Sequence, residues 1–199
     1  KKTLAVRFPS HTQAKGLLKI LNYPLAAPSA NISSRVSPVT RNHVKEEFGK
    51  KIKYIIEGGL SKIGLESTII NLTGKPEILR VGTIDINKLS KALKKKLFYR
   101  KKTYMKVPGQ NRLHYSPGIP LRMNCKNASL DEAFILVKKR NNSNKNFFYL
   151  SKNKNLKEAA RNLYSVLRMI KKKGYKKIAV EKIENKGIGL AINDRLQKA

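Results

Sequence analysis

The sequence is poor in residues that build several familiar classes of protein. It contains one cysteine, Cys125, and no tryptophan among 199 residues. A single cysteine can form neither an internal disulfide nor a zinc site with several thiolates, and it fits a reducing compartment. No stretch approaches the roughly 18 consecutive apolar residues that a membrane span requires. We therefore predict a cytoplasmic protein without a membrane partner.

Acidic residues are also scarce, since 12 Asp and Glu stand against 44 Lys and Arg and give a formal net charge of +32. Such a charge favours contact with phosphates or nucleic acid. Lysine and asparagine are enriched together throughout the chain, however, which is typical of an AT-rich coding bias. We take this bias as the main cause of the charge and a polyanion-binding surface as the second.

Hydrophobic residues make up 40% of the chain, enough to bury a core. Alternation over residues 3–8 predicts a half-buried strand with Leu4, Val6 and Phe8 on one face. The chain does not begin with Met, and a domain rarely starts with a core strand and no lead-in. We therefore expect an N-terminal segment to precede Lys1.

Periodicity and turn residues predict the remaining elements of the first half. They are helices over 12–21, 40–48 and 85–97, a polar loop over 29–40, and strands over 53–57, 67–72 and 76–81.

Residues 99–120 contain two Pro-Gly turns and no periodicity, which is typical of a linker. The elements after it are strands over 133–137, 147–150 and 177–181, a helix over 156–170 capped by Gly174, and a helix over 187–198. Their alternating order predicts a small parallel α/β unit.

Two polar segments could bind a substrate. Ala27 leads into a loop that carries Ser29, Asn31 and Ser37, whose hydroxyl and amide groups can donate to phosphate oxygens, although turn formation is their commoner use. Glu66-Ser67-Thr68 opens a strand, where a carboxylate beside two hydroxyls could position an amine. Strand entry alone is the commoner explanation there.

Arginines and the linker offer further candidates. Arg7 and Arg80 lie on predicted strands and could bind carboxylate or phosphate, although a solvent-facing arginine is commoner in a chain this basic. His114 and Tyr115 stand between two Pro-Gly turns, where both rings could stack on a base or close over a ligand. No metal-ligand cluster, nucleophile triad or acid–base carboxylate pair is evident, so an enzyme here would work by positioning and electrostatics.

Six segments together resemble one family. Four of them resemble the second half of a YrdC-like domain: VRFPSH, PLAAPSANISSRVSP, IIEGGLSKIGLESTIINL and ILRVGTI. The run PGQNRLHYSP resembles the linker of the two-domain L-threonylcarbamoyladenylate synthases. Residues 159–199 resemble the small C-terminal domain of these synthases, with the sequence AARNLYSVLRMIKKKGYKKIAVEKIENKGIGLAINDRLQKA. The order of these motifs covers nearly the whole chain.

The resemblance implies an α/β fold in three parts: a partial YrdC-like twisted open sheet over 1–98, a linker folding over the active site over 99–120, and a small Rossmann-like domain over 121–199. It implies synthesis of threonylcarbamoyl-AMP from L-threonine, bicarbonate and ATP, with Mg²⁺ accompanying ATP and pyrophosphate released. Partner proteins would then transfer the threonylcarbamoyl group to an adenosine of tRNA.

The resemblance also implies roles for individual residues. Threonine contacts are implied for Arg7, Ala27, through its backbone, and Ser67. ATP contacts are implied for Ser29, Asn31, Ser37, Arg80, Pro108, Gly109, His114 and Tyr115.

Two departures from the family pattern bear on these roles. Leu113 stands where the family usually has an arginine before the histidine, which removes the basis for an additional phosphate contact. The first half of the YrdC-like domain, which supplies a lysine and an arginine for ATP in the family, has no counterpart here. We therefore expect an active parent synthase and an inactive 199-residue chain.

Two alternatives stay open at this stage. A basic RNA-binding module, a remnant of the synthase, would use the charge and a concave sheet, although no aromatic platform for bases is evident. A carbamoyltransferase of the hydrogenase-maturation kind also carries a YrdC-like domain, but a single cysteine argues against the zinc motifs of that class.

Overall fold

A computed structural model describes residues 3–99, 107–109, 113–142 and 144–199 of the chain, and its architecture is mixed α/β, as predicted. The chain divides into two compact units. The N-terminal unit comprises Lys1–Ile32 and Ser37–Ser61, and the C-terminal unit comprises Ser33–Val36 and Lys62–Ala199. The division into domains at residues 98 and 120 stays a prediction.

The N-terminal unit is built on two helices and loops. Helix α1 covers Thr12–Ile20, and helix α2 covers Arg41–Phe48 and continues into a 3₁₀ turn at Gly49–Lys51. The Thr40 hydroxyl caps α2 by accepting a hydrogen bond from the backbone N–H of His43 at 3.2 Å,. The predicted helices over 12–21 and 40–48 are therefore confirmed.

The two strands predicted in this unit are wrong. Neither residues 3–8 nor residues 53–57 form a β-strand or belong to a sheet. Leu4, Val6 and Phe8 are 87%, 84% and 90% exposed rather than half-buried. A strand exists only when a neighbouring strand accepts and donates its ladder hydrogen bonds, and alternation in the sequence does not supply that neighbour.

The C-terminal unit begins with a three-stranded sheet of order β1–β2–β3. Its strands are β1 at Ile69–Asn71, β2 at Glu77–Arg80 and β3 at Phe98–Tyr99. Strands β1 and β2 pair antiparallel, with Ile70 opposite Ile78, and β2 pairs parallel to β3. The hairpin is as predicted, whereas β3 is too short for alternation to predict it and spans the predicted boundary between the first domain and the linker.

Helix α3, at Ile86–Leu93, packs against this sheet. It ends before the predicted Leu97 because Lys94 adopts a left-handed conformation, with φ +51°, which terminates the helix,. The Asp85 carboxylate caps its start by accepting from two backbone N–H groups.

A second sheet of four parallel strands has the order β4–β7–β5–β6. Its strands are β4 at Leu121–Arg122, β5 at Ala133–Lys138, β6 at Phe147–Ser151 and β7 at Ile178–Val180. The helices of this part are α4 at Leu156–Lys172 and α5 at Ile188–Leu196. The predicted parallel α/β unit is confirmed, and only the two-residue β4 was missed.

The best-buried core lies between this sheet and helix α4. Residues 133–137 of β5 are all buried, as a central parallel strand requires,. The buried face of α4 consists of Ala159, Ala160, Leu163, Tyr164, Val166, Leu167 and Ile170.

Helix α5 contributes Ala191 to the cluster formed by Ile78, Val81 and Leu97, so it packs against elements of the first sheet. In the described part of the chain, no helix is both long and apolar enough to cross a membrane.

The core of α4 gives a direct test of this packing. Leu163 is fully buried, whereas Met169 on the same helix is 47% exposed. We expect Leu163→Ala to lower the free energy of unfolding by about 2–5 kcal/mol, because the substitution leaves a cavity. Met169→Ala should cost much less, and urea denaturation monitored by circular dichroism measures both. Equal losses for the two variants would contradict the described burial.

Candidate ligand-binding site

The five candidate residues of the N-terminal unit lie outside its helices. Arg7, Ala27 and Ser29 are exposed, and Asn31 and Ser37 are half-buried. The loop is tied down locally: the Asn31 side-chain amide donates to the Ile32 carbonyl at 2.9 Å. The Ile32 N–H donates to Glu47 of α2 at 3.0 Å. Their binding roles stay predictions.

In the C-terminal unit, the antiparallel hairpin brings Arg80 and Ser67 together. The Arg80 Nε donates to the Ser67 carbonyl at 3.0 Å, and Nη2 lies 3.5 Å from the Ser67 hydroxyl. Arg80 Nη1 donates to the Pro108 carbonyl at 3.3 Å. Three residues predicted separately, on two strands and in the linker, therefore meet through one guanidinium.

The Pro108-Gly109 turn continues this cluster toward Tyr115. Gly109 has φ +88°, a conformation that favours glycine, and a Cβ there would lie 2.2 Å from the Tyr115 hydroxyl and 3.2 Å from Arg80 Cδ,. Only glycine fits both the backbone and the space. The Tyr115 hydroxyl thus lies against this turn and beside Arg80.

Tyr115 is enclosed by three side chains and is 1% exposed. Its ring meets the His114 ring edge-on at 4.2 Å, stacks on Tyr164 at 5.9 Å and lies 5.2 Å from the Arg195 guanidinium. Tyr115 also has φ +63°, which costs on the order of 1–3 kcal/mol for a residue with a side chain and persists only where the surroundings impose it,. The linker is therefore held firmly at this point.

A buried ion pair lies beneath these rings. The Arg195 Nε donates to Glu66 Oε2 at 2.9 Å, and the Tyr164 hydroxyl donates to the same carboxylate oxygen at 2.8 Å. Arg195 Nη2 also donates to the Glu66 backbone carbonyl at 3.3 Å, and Nη1 pairs with Asp194. Glu66 directly precedes Ser67, so the ion pair fixes the backbone that presents the candidate hydroxyl.

Sequence reasoning considered Glu66 but missed Tyr164 and Arg195. Arg195 follows Ala191 by four residues and Ile192 by three, so it lies on the apolar face of α5,. Tyr164 follows Ala160 by four on the buried face of α4. A charged residue at a core-facing position of a helix is a sequence signal for a buried ion pair, and it could have identified Arg195.

Burial fixes the protonation states of this cluster. Burial lowers the pKa of His114, and burial together with the Glu66 charge raises the pKa of Tyr115. The same causes raise the pKa of Tyr164 well above its usual range. Burial works against the Arg195 charge, but the neighbouring tyrosines and Glu66 raise its pKa on balance. At neutral pH the site therefore offers a neutral imidazole, neutral phenols and a fixed guanidinium.

Two polar atoms of the cluster are buried without a hydrogen-bond partner among the described residues: His114 Nδ1 and the Tyr115 hydroxyl. Leaving such a group unpaired costs about 1–3 kcal/mol, and most buried polar groups are paired. The pair is thus available to hydrogen-bond a bound molecule next to Ser67 and Arg80. Leu113 is exposed, whereas 110–112 lie outside the described residues.

The described residues include no group of three or more His, Cys, Asp or Glu that could hold a metal ion. The site carries hydroxyl, imidazole and guanidinium groups but no cysteine, since Cys125 is buried beside Phe134 and Ala179. The arrangement can bind and orient an anionic or polar molecule, and nothing in it indicates a covalent nucleophile.

Removal of the Glu66 carboxylate tests the buried ion pair. In Glu66→Leu, Arg195 loses its main partner in a buried position, and we expect unfolding to become easier by about 3 kcal/mol. The control is Glu184→Leu, since Glu184 is 70% exposed and lies 3.8 Å from Lys154. Denaturant unfolding should show little change for the control, and a similar loss in both variants would argue against a special role of Glu66.

The pKa of His114 gives a second test. Because burial lowers it, we expect the NMR titration midpoint of its ring to lie below the usual value of about 6.5,. The unfolded chain then binds a proton more readily than the folded one, so this contribution to stability is complete above about pH 6.5 and decreases as the pH falls. A midpoint at or above the usual value would contradict the dominance of burial over the Glu66 charge at His114.

Comparisons with known proteins cover both parts of the chain. Residues 77–199 match the family described as threonylcarbamoyl-AMP synthase, C-terminal domain, and residues 1–82 match a family described as telomere recombination. The threonylcarbamoyl-AMP synthase of Pyrococcus abyssi is 34% identical over 99% of this chain and 64% of its own length. That of Schizosaccharomyces pombe is 34% identical over 100% of this chain and 57% of its own length. The chain thus spans less than two thirds of the curated relatives it matches.

Solved structures give the same result. The crystal structure of Pyrococcus abyssi Sua5 complexed with L-threonine matches with a TM-score of 0.83 and 31% identity, over 97% of this chain and 62% of that one. A variant of that protein with alanine at a histidine and at the tyrosine after it matches with a TM-score of 0.74, also at 31% identity, over 97% of this chain and 60% of that one. With a fold and a sequence that both match, the chain belongs to the threonylcarbamoyl-AMP synthase family.

Proposed function

We propose that the parent synthase expected from the family resemblance joins L-threonine, bicarbonate and ATP into threonylcarbamoyl-AMP in the cytoplasm, releasing pyrophosphate. Partner proteins then transfer the threonylcarbamoyl group to an adenosine of tRNA. The observation that carries this proposal is the cluster of Ser67, Arg80, Gly109 and the His114–Tyr115 pair, with two buried polar atoms left for a ligand. Membership of the family supplies the identity of the reaction.

The reaction needs no covalent enzyme intermediate. The threonine amine attacks the bicarbonate carbon, a C–N bond forms, and water leaves to give the carbamate. A carbamate oxygen then attacks the α-phosphorus of ATP, and the bond to the β-phosphate breaks to release pyrophosphate. Holding three substrates in place removes most of the entropic barrier, and fixed donors neutralise the phosphate charge. This chemistry suits a site of guanidinium, hydroxyl and neutral imidazole groups.

We assign the individual roles on the family resemblance. Threonine contacts are proposed for Arg7, Ala27 and Ser67. ATP contacts are proposed for Ser29, Asn31, Ser37, Arg80, Pro108, Gly109, His114 and Tyr115. Arg80 is fixed by Ser67 and Pro108, so its charge is held in one place.

Mg²⁺ enters this proposal as part of the substrate, bound to the phosphates of ATP. Glu66, the carboxylate next to Ser67, already accepts hydrogen bonds from Arg195 and Tyr164. It is therefore not a free metal ligand, and the phosphate oxygens are the natural ligands of this hard cation.

The basic RNA-binding module is the weaker candidate, because the curated relatives are named as synthases. A net charge of +32 still gives weak, salt-dependent affinity for RNA through phosphate contacts alone,. Such binding would accompany the synthase activity and would not replace it.

Replacement of the His114–Tyr115 pair tests the proposed function. In the full-length protein, we expect the double variant His114→Ala/Tyr115→Ala to lower threonine-dependent pyrophosphate release by on the order of 100-fold, because preorganised donors are lost. The variant should remain folded at the temperature of the assay, which a melting curve checks. The control is Tyr175→Ala/Lys176→Ala, a pair in the same unit away from the cluster. Normal turnover in the first variant would exclude a role of the pair in binding ATP.

A further inference from the structure

Arg195 is the one lysine or arginine among the described residues that is fully buried, at 1% exposure, in a chain with 44 such residues. Burying a guanidinium is unfavourable unless its donors are paired with good geometry. Arg195 meets this condition through Glu66 and Asp194. A basic protein surface accounts for exposed lysine and arginine side chains, but it does not account for the buried Arg195 guanidinium.

The contacts of Arg195 form a closed ring of four side chains. Arg195 donates to Glu66, Glu66 accepts from Tyr164, Tyr164 stacks on Tyr115, and the Tyr115 ring lies over the Arg195 guanidinium. Arginine suits this position because its planar group can stack on an aromatic ring and donate in its own plane at the same time. The ring therefore couples helix α5 to the backbone before Ser67 and to the linker.

The turn that follows helix α5 holds His114, the other member of the linker pair. The His114 N–H donates to the Lys198 carbonyl at 2.7 Å. Asp194 pairs with both Arg195 and Lys198, which ties the last turn together. The end of α5 and the turn after it thus contact the ring of Tyr115, through Arg195, and the backbone of His114, through Lys198.

The groups held in this way are not ordinary core residues. Tyr115 keeps a left-handed backbone conformation, and its hydroxyl and His114 Nδ1 are buried without a partner among the described residues. Buried polar groups in proteins are usually paired, so these two atoms offer hydrogen bonds to a ligand. The Tyr115 hydroxyl, one of these two atoms, is held against Gly109 and close to Arg80.

We propose that Arg195 is a positioning residue, which orients Tyr115 for ATP and, through Glu66, orients Ser67. This inference rests on the proposed synthase function and extends it. It gives the C-terminal helix a direct part in shaping the site, although Arg195 itself touches no substrate.

The first test is a double-mutant cycle in the full-length protein. We expect Arg195→Met to lower kcat/KM for ATP by on the order of 100-fold, because misplaced contact groups lose transition-state binding. In a Tyr115→Ala background the same substitution should lower kcat/KM by much less than 100-fold, because only its effect on Ser67 through Glu66 remains. If Arg195 had only a structural role, the losses of kcat/KM in the two single variants would multiply in the double variant.

The matched control is Arg140→Met. Arg140 is also ion-paired, to Glu181 at 2.8 Å, and also lies over an aromatic ring, that of Phe134 at 5.7 Å. It differs in lying outside the ring of four, so its loss should leave kcat/KM unchanged. Should Arg195→Met fail to fold, Arg195→Lys takes its place, because lysine keeps the charge but cannot stack and donate to both carboxylates.

The second test needs no substrate. 3-Fluorotyrosine is incorporated at position 115, and its ¹⁹F resonance is recorded in the ligand-free protein. We expect Arg195→Met or Arg195→Lys to shift or broaden the resonance, and Arg140→Met to leave it unchanged. An unchanged resonance in the Arg195 variants, or fully multiplicative losses in the cycle, would overturn the proposal. If the wild-type protein makes no threonylcarbamoyl-AMP while the resonance still responds to Arg195, the proposed function fails and the positioning role stands.

Discussion

The ion pair between Arg195 and Glu66 joins positions 129 residues apart in the sequence. Two charges removed from water stabilise a fold only if their geometry satisfies both, and here three donors converge on Glu66 while two acceptors flank the guanidinium,. The pairing therefore demands that the start of the first sheet, helix α4 and helix α5 be placed together. The linker conformation at Tyr115 depends on the same arrangement.

A site of this kind acts through fixed dipoles and charges. The pKa of His114 is lowered by burial, and those of Tyr115 and Tyr164 are raised by burial and by Glu66, so the imidazole and the phenols stay neutral at neutral pH. Neutral groups can donate to or accept from a substrate without a change of protonation state. Arg80 adds one positive charge whose position is set by two backbone carbonyls. Preorganised groups of this sort need no reorganisation when charge develops on a phosphate.

The two units differ in how their apolar residues are used. In the C-terminal unit, β5, β7 and α4 bury their apolar faces completely. In the N-terminal unit, Leu4, Val6 and Phe8 alternate as strand residues do and are nevertheless exposed, and no helix of this unit has a buried residue. The burial expected from the sequence pattern is therefore found in the C-terminal unit, whereas residues 3–8 of the N-terminal unit do not show it.

The helices and the parallel α/β unit could be predicted from the sequence, because periodicity and capping are local properties. Leu163 and Ile170 fall on one face of α4 whatever packs beside that helix. The motifs around Ser67, Arg80 and the His114–Tyr115 pair were also evident from the sequence. Only the folded chain shows that these residues meet and that Tyr164 and Arg195 lie in the candidate site. It also shows that residues 3–8 and 53–57 form no strand. Strand pairing and buried ion pairs depend on partners distant in the chain, and no local pattern specifies which partner will be present.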